Sequence, residues 1–159
     1  MAIAFTPAAQ QQFERYLTRY PTKRAAIMPT LWLAQREFGW LSDEVLAYVA
    51  SLIGESPAFV ASVASFYTMY YKKPMGKYHL QVCTNLSCSL RGADRILETC
   101  ERRLGIGVGQ TTPDQKFSLS EVECLASCGT APMMQLNDDY FENLTSESTL
   151  ELIERLARE

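Results

Sequence analysis

The sequence predicts an α+β protein: a small N-terminal helical bundle followed by an α/β domain on a mixed four-stranded sheet. Apolar residues recur at helical spacing through the first part of the chain and give way to alternating strands after the segment Lys72-Lys73-Pro74-Met75-Gly76-Lys77. The cysteines fall into two pairs, Cys83-x4-Cys88 and Cys124-x3-Cys128, each pair following the end of an expected strand. The change in pattern divides the chain into an expected helical domain over 1–73 and an expected cysteine-bearing domain over 74–159.

The elements follow in order. Thr6 before Pro7 is a good N-cap with proline at the first helical position, and Phe13, Leu17 and Tyr20 continue one face. A second helix is expected over 29–38, with Leu31, Ala34 and Phe38 on one side and Gly39 as its stop. Ser42 with Asp43 and Glu44 starts a third, which carries Val45, Val49 and Leu52 or Ile53 before Gly54. Ser56-Pro57 repeats the start signal for a fourth, running through Val60, Val63 and Ala64 into Phe66-Tyr67. Four short helices bury a modest core, so contact with a partner is expected as well.

Beyond the linker, residues 78–83 alternate, with Tyr78, Leu80 and Val82 on one face and Cys83 at the end. Residues 89–104 are expected to form one helix, its Ala93, Ile96, Leu97, Cys100 and Leu104 at helical spacing, broken by Gly105-Ile106-Gly107-Val108-Gly109. Residues 117–123 form a second strand leading to Cys124, 132–136 a third, and 140–144 a fourth after the turn Asn137-Asp138-Asp139. A closing helix from Ser146 is expected to bury Leu150, Ile153 and Leu156. The order β-α-β-β-β-α resembles a thioredoxin-like layout.

Two thiolates on each of two short loops, with a helix and a strand between the loops, read as a four-thiolate metal site. Soft sulfur donors suit zinc or an iron-sulfur cluster, and spacers of four and three residues lean towards the wider bite of two irons. Structural zinc and a pair of disulfides remain alternatives; disulfides would need an oxidising compartment, and the N-terminus lacks a basic region followed by an apolar one. The lone His79 cannot supply a two-histidine cluster ligation. Cys100, on an apolar helix face, reads as a buried thiol rather than a fifth ligand. The set Phe66, Tyr67, Tyr70 and Tyr71 is divided between core and subunit interface.

Fifteen Lys and Arg against eighteen Asp and Glu give a net charge of −3, with the basic residues scattered, so nucleic-acid binding has little support. No apolar stretch reaches the roughly 20 residues of a membrane span, so no direct membrane insertion is expected. Gly105, Gly107 and Gly109 follow a helix rather than a strand and lack the third glycine of a dinucleotide fingerprint, so no catalytic residue is assigned.

The segments Val82-Cys-Thr-Asn-Leu-Ser-Cys88, Val122-Glu-Cys-Leu-Ala-Ser-Cys128 and Gly129-Thr-Ala-Pro-Met-Met134 resemble the thioredoxin-like [2Fe-2S] ferredoxin subunits of respiratory complex I, the NuoE family. Ala64-Ser-Phe-Tyr-Thr-Met69, Pro74-x-Gly76-Lys77 and the helix containing Pro29 and Gln35 match as well, so the resemblance spans nearly the whole chain. It implies one [2Fe-2S] cluster held by Cys83, Cys88, Cys124 and Cys128, with FMN and NADH on a flavoprotein partner subunit and not on this chain. It further implies single-electron exchange within NADH:quinone oxidoreductase, other peripheral-arm subunits as neighbours, and a cytoplasmic location on the membrane face through the complex. Single-electron transfer leaves no turnover to this chain alone. An equivalent diaphorase subunit of an NAD-linked hydrogenase or formate dehydrogenase is the alternative assembly, and a zinc-stapled thioredoxin-like binding module the alternative of another class. Backbone N–H groups of 84–87 and 125–127 are expected near the sulfurs, and the Ser87 and Ser127 hydroxyls read either as further donors to sulfur or as solvated loop serines. Two departures stand out: Ala126 replaces a common glycine, and Asp114-Gln115 replaces Asp-Gly.

Overall fold

A computed structural model describes residues 3–159. The chain divides into two compact units, Met1–Pro74 and Met75–Glu159.

The first unit holds four helices: α1 (Pro7–Arg19), α2 (Ile27–Phe38), α3 (Asp43–Ile53) and α4 (Pro57–Phe66), with a 3₁₀ turn at Lys23–Ala26. Three start as expected, because the Thr6, Ser42 and Ser56 hydroxyls accept the N–H groups of Ala9, Val45 and Phe59. α2 begins two residues before Pro29, which falls within its first turn, where no N–H partner is lost. Its end is stapled by Gln35: the side-chain amide donates to the Met69 carbonyl at 3.0 Å, and its oxygen accepts the Tyr71 N–H at 2.6 Å. Leu31, Val49, Val60 and Tyr70 centre the core. The aromatic set divides: Tyr70 is 1% exposed and donates its hydroxyl to the Met28 carbonyl, while Phe66 is 79% exposed. No single helix among the described residues is long and apolar enough to cross a membrane.

The second unit is a four-stranded mixed sheet in the order β2-β1-β3-β4, from β1 (Tyr78–Cys83), β2 (Phe117–Val122), β3 (Met134–Leu136) and β4 (Asp139–Phe141). β1 runs parallel to β2, pairing Tyr78 with Phe117 through to Cys83 with Val122, and antiparallel to β3; β3 and β4 are antiparallel. Because β1 and β2 are parallel and in register, their C-terminal ends, and the cysteine loops that follow, lie side by side. α6 (Ala93–Leu104) and α7 (Ser146–Arg158) pack with the sheet through Ile96, Cys100, Leu152, Ile153 and Leu156.

Three expectations are corrected. The single helix over 89–104 is two: α5 (Leu86–Leu90), then a turn in which Gly92 takes φ 95°, then α6, so that Cys88 sits on its own short helix. β3 and β4 are each three residues long, shorter than expected, and β4 starts at Asp139 within the expected turn. In α7 the buried face is Thr149, Leu152, Ile153 and Leu156, while Leu150 is 37% exposed; a capping box between Thr145 and Ser148 fixes the helix start.

Candidate metal centre

Cys83 ends the central strand β1, where the chain must leave the sheet. Its N–H donates to the Met133 carbonyl at 3.2 Å, and the next residue, Thr84, donates its N–H to the Val122 carbonyl at 3.2 Å and its hydroxyl to Glu121 Oε1 at 2.7 Å. Asn85 then turns the chain: its Oδ1 caps α5 at the Leu86 N–H, and its Nδ2 donates to the Glu123 carbonyl at 2.7 Å, tying the first cysteine loop to the second. α5 brings Cys88 back over Cys83, and both thiols are buried with Ala93, Ala131 and Met133.

Burial pushes the Cys88 thiol up to about 11, helped by its hydrogen bond with the Cys83 thiol and the nearby sulfurs of Cys83 and Cys128; a backbone hydrogen bond at Met133 opposes the rise. Cys88 thus lies within electrostatic range of two other predicted ligands, Cys83 and Cys128. The second pair is exposed: Cys124 follows β2, and Cys128 opens a 3₁₀ turn over Cys128–Thr130. Between them Ala126 adopts φ 60°, which aims its N–H at Cys124 Sγ, 3.3 Å away. Among the described residues, no three His, Cys, Asp or Glu side chains stand close enough to hold a metal ion. Cys100 is buried away from this set, in the core between helix and sheet.

The donors fit a two-iron, two-sulfide cluster in type and number. Such a cluster takes four thiolates, two to each iron, and four thiols from two adjacent loops stand at one end of the sheet, two in an apolar bed. An amide already donates to one sulfur, the contact that stabilises anionic thiolate.

The expected surroundings are partly redrawn. Thr84 and Leu86 spend their N–H groups on Val122 and the Asn85 side chain rather than on sulfur. Ser127 donates its hydroxyl to Glu142, which also accepts from Thr130 Oγ1 at 2.7 Å; the Ser127 and Thr130 hydroxyls are 2.7 Å apart. The two donated protons hold the Glu142 carboxyl below its ordinary range. Tyr140 donates its hydroxyl to the Leu125 carbonyl at 2.9 Å. Neither Glu142 nor Tyr140 carries a sequence signal linking it to the cysteines, since they reach the loop only through the β3–β4 hairpin.

The family model of thioredoxin-like [2Fe-2S] ferredoxins matches residues 13–157. The E subunit of the NADH-quinone oxidoreductase of Rickettsia conorii is 47% identical over 146 residues, covering 90% of this chain and 87% of that one. The corresponding protein of Rickettsia bellii is 50% identical over 147 residues, with 90% and 87% covered. NADH dehydrogenase [ubiquinone] flavoprotein 2, mitochondrial, of Dictyostelium discoideum is 46% identical over 155 residues; the match covers 96% of this chain but 63% of that protein. Among solved structures, a chain of an NAD+-reducing [NiFe]-hydrogenase superposes with a TM-score of 0.75 at 20% identity, over 83% of this chain and 23% of its own length, a likeness of fold. With its four-thiol loops at the end of a mixed sheet and a family match across nearly its whole length, the chain belongs to the thioredoxin-like [2Fe-2S] ferredoxins.

Proposed function

We propose that this chain is the [2Fe-2S] electron-transfer subunit of an NADH:quinone oxidoreductase, exchanging single electrons with the flavin of an FMN- and NADH-binding partner subunit. The observation that carries the reading is the gathering of two cysteine loops at the C-terminal ends of paired parallel strands. Relatives named as the E subunit of NADH-quinone oxidoreductase, at 45–50% identity over about nine-tenths of the chain, support the assembly. In this reading Cys83, Cys88, Cys124 and Cys128 hold the cluster, residues 1–73 and 74–159 are separate domains, and the protein works on the cytoplasmic face of the membrane among other peripheral-arm subunits.

When bound, the cluster supplies a site that accepts one electron and returns it. The protein determines how easily. Cys83 and Cys88 lie in an apolar bed with Ala93, Ala131 and Met133, which keeps water from that side; the exposed Cys124–Cys128 loop leaves the other side open to a partner. The Ala126 N–H offsets charge on the Cys124 sulfur. Buried, protonated Cys88 must lose its proton on metal binding, so loading is expected to be faster at higher pH.

The test is the visible spectrum of the anaerobically purified chain before and after dithionite, with iron content of three serine variants. Broad bands that bleach, retained iron in Cys100→Ser, and lost or rearranged iron in Cys88→Ser and Cys124→Ser are expected. Iron-free Cys100→Ser beside an iron-bearing Cys88→Ser would overturn the ligand assignment, and a colourless, zinc-filled parent the function.

A further inference from the structure

The edge strand β4 and the residue just after it present two side chains, Tyr140 and Glu142, that the assignment of four cysteines leaves without a role. Both reach the second cysteine loop, at different points: the Tyr140 hydroxyl donates to the Leu125 carbonyl, and the Glu142 carboxylate accepts the hydroxyls of Ser127 and Thr130. Cys124 and Cys128 bracket the first two of these anchor points, Leu125 and Ser127, and Thr130 lies just beyond. The backbone beneath is clamped too, as Asn143 and Leu144 donate their N–H groups to the Thr130 and Pro132 carbonyls at 2.7 and 2.9 Å.

These contacts sort the loop's polar groups into two sets. Carbonyl and hydroxyl groups that would repel an anionic sulfur, or compete for its donors, are turned to the strand and occupied there. The Ala126 N–H is left facing Cys124 Sγ at 3.3 Å. The carboxylate also brings a fixed negative charge to within one hydroxyl of the residue preceding Cys128, and it is exposed enough to stay ionised, with two hydroxyl donors favouring that form.

We propose that Tyr140 and Glu142 are positioning residues for the cluster: a clasp from the end of the β3–β4 hairpin that shapes the Cys124–Cys128 loop, with the Glu142 charge holding the reduction potential down. The proposal rests on the reading of these cysteines as cluster ligands. Electrostatics fixes its sign, since an added electron makes the cluster more negative and a nearby carboxylate opposes that. Removing the charge raises the potential, and removing the anchor loosens the loop and speeds cluster loss.

The full chain separates the two roles through three variants compared with the parent by redox titration, by the electron paramagnetic resonance spectrum of the reduced form, and by the rate of bleaching under a chelator. Glu142→Gln keeps an acceptor for the Ser127 and Thr130 hydroxyls but loses the charge; an upward potential shift with an unchanged bleaching rate is expected. Glu142→Ala loses both, giving an upward shift with bleaching at least several-fold faster and a broadened resonance. Tyr140→Phe loses one anchor hydroxyl, giving faster bleaching with a potential close to the parent's. Folding is read separately by circular dichroism; should Glu142→Ala fail to fold, the Gln and Phe variants still decide. Parent-like potential and bleaching in both of those overturn the clasp while leaving the cluster assignment intact. A parent without bleachable bands overturns the assignment and the clasp together.

Discussion

Ala126 and Gln115 hold left-handed backbone conformations, φ 60° and 57°, where glycine is the unstrained residue. Both are positions where the family resemblance leads one to expect glycine, so the fold keeps the turn and absorbs the strain. At 115 the turn is braced by Asp114, whose carboxylate accepts the Thr112 hydroxyl at 2.5 Å and the Lys116 N–H at 3.0 Å. Ala126→Gly and Gln115→Gly are each expected to raise stability by roughly 0.5–1 kcal/mol, the left-handed strain relieved less the extra chain entropy of glycine. Urea unfolding of the two variants checks this. The backbone at 126 already has the conformation glycine would take, so the N–H bond to Cys124 persists and Ala126→Gly should leave the reduction potential unchanged. Cys100 offers a second test at this scale. Burial, and then the charge of Glu101, push its thiol from 9.0 up to about 12. Above the unfolded value the unfolded chain releases the proton while the folded chain keeps it, so stability is lost as pH rises from about 9 towards 12, by up to about 1.4 kcal/mol per unit from this group. The stability advantage of the parent over Cys100→Ala should therefore shrink as pH rises from about 9 towards 12 in parallel urea titrations.

Elements were legible where one residue type carried the whole instruction. Ser or Thr before the first turn, with Pro7 and Pro57 behind it, and Gly39, Gly54 and Gly105 after the last turn, set the helix ends because each satisfies or relaxes a backbone group locally. Strands β1 and β2 were legible by alternation, and with them the placing of both cysteine pairs beyond strand ends. What escaped was decided at a distance. The α5–α6 break rests on Gly92 in a stretch whose apolar residues keep helical spacing across it, so periodicity alone merges the two. The Tyr140 and Glu142 contacts depend on the hairpin, and the Ser127 hydroxyl, left open between a donor to sulfur and a solvated group, donates instead to a carboxylate fifteen residues away. Gly76 carries the packing of the entry to β1. A Cβ there would lie 2.7 Å from the Phe117 carbonyl carbon and 2.9 Å from that of Lys116, both backbone atoms that cannot swing aside, and the Gly76 N–H donates to Ser118 Oγ at 2.8 Å. Gly76→Ala is expected to cost about 1–3 kcal/mol, as overpacking against a fixed neighbour does, lowering the melting temperature by roughly 2–4 °C per kcal/mol. Gly129, with nothing within 4 Å of its would-be Cβ, is the control: Gly129→Ala should melt with the parent.

At the scale of the whole molecule, the division of labour follows from where the cores lie. The core around Leu31, Val49 and Val60 draws on the first unit alone, and the cores around Leu80, Leu119 and Ile153 and around Cys83 and Cys88 draw on the second alone. All five cysteines, and Tyr140 and Glu142, which hydrogen-bond the second cysteine loop, belong to the second unit. A domain of somewhat under about 100 residues can sustain its own core, and cluster binding adds folding free energy. The fragment 74–159 is therefore expected to fold and to take up the cluster, with bleachable bands and a potential close to that of the full chain. The fragment 1–73 should be helical by circular dichroism but colourless and silent in redox titration. An exposed aromatic pair, Phe66 and Tyr67 with ring centroids 5.0 Å apart, stays on the helical fragment. If 74–159 stays unfolded or loads no iron while the full chain does both, the two units are one cooperative structure and the boundary at 73–74 is wrong as a functional division.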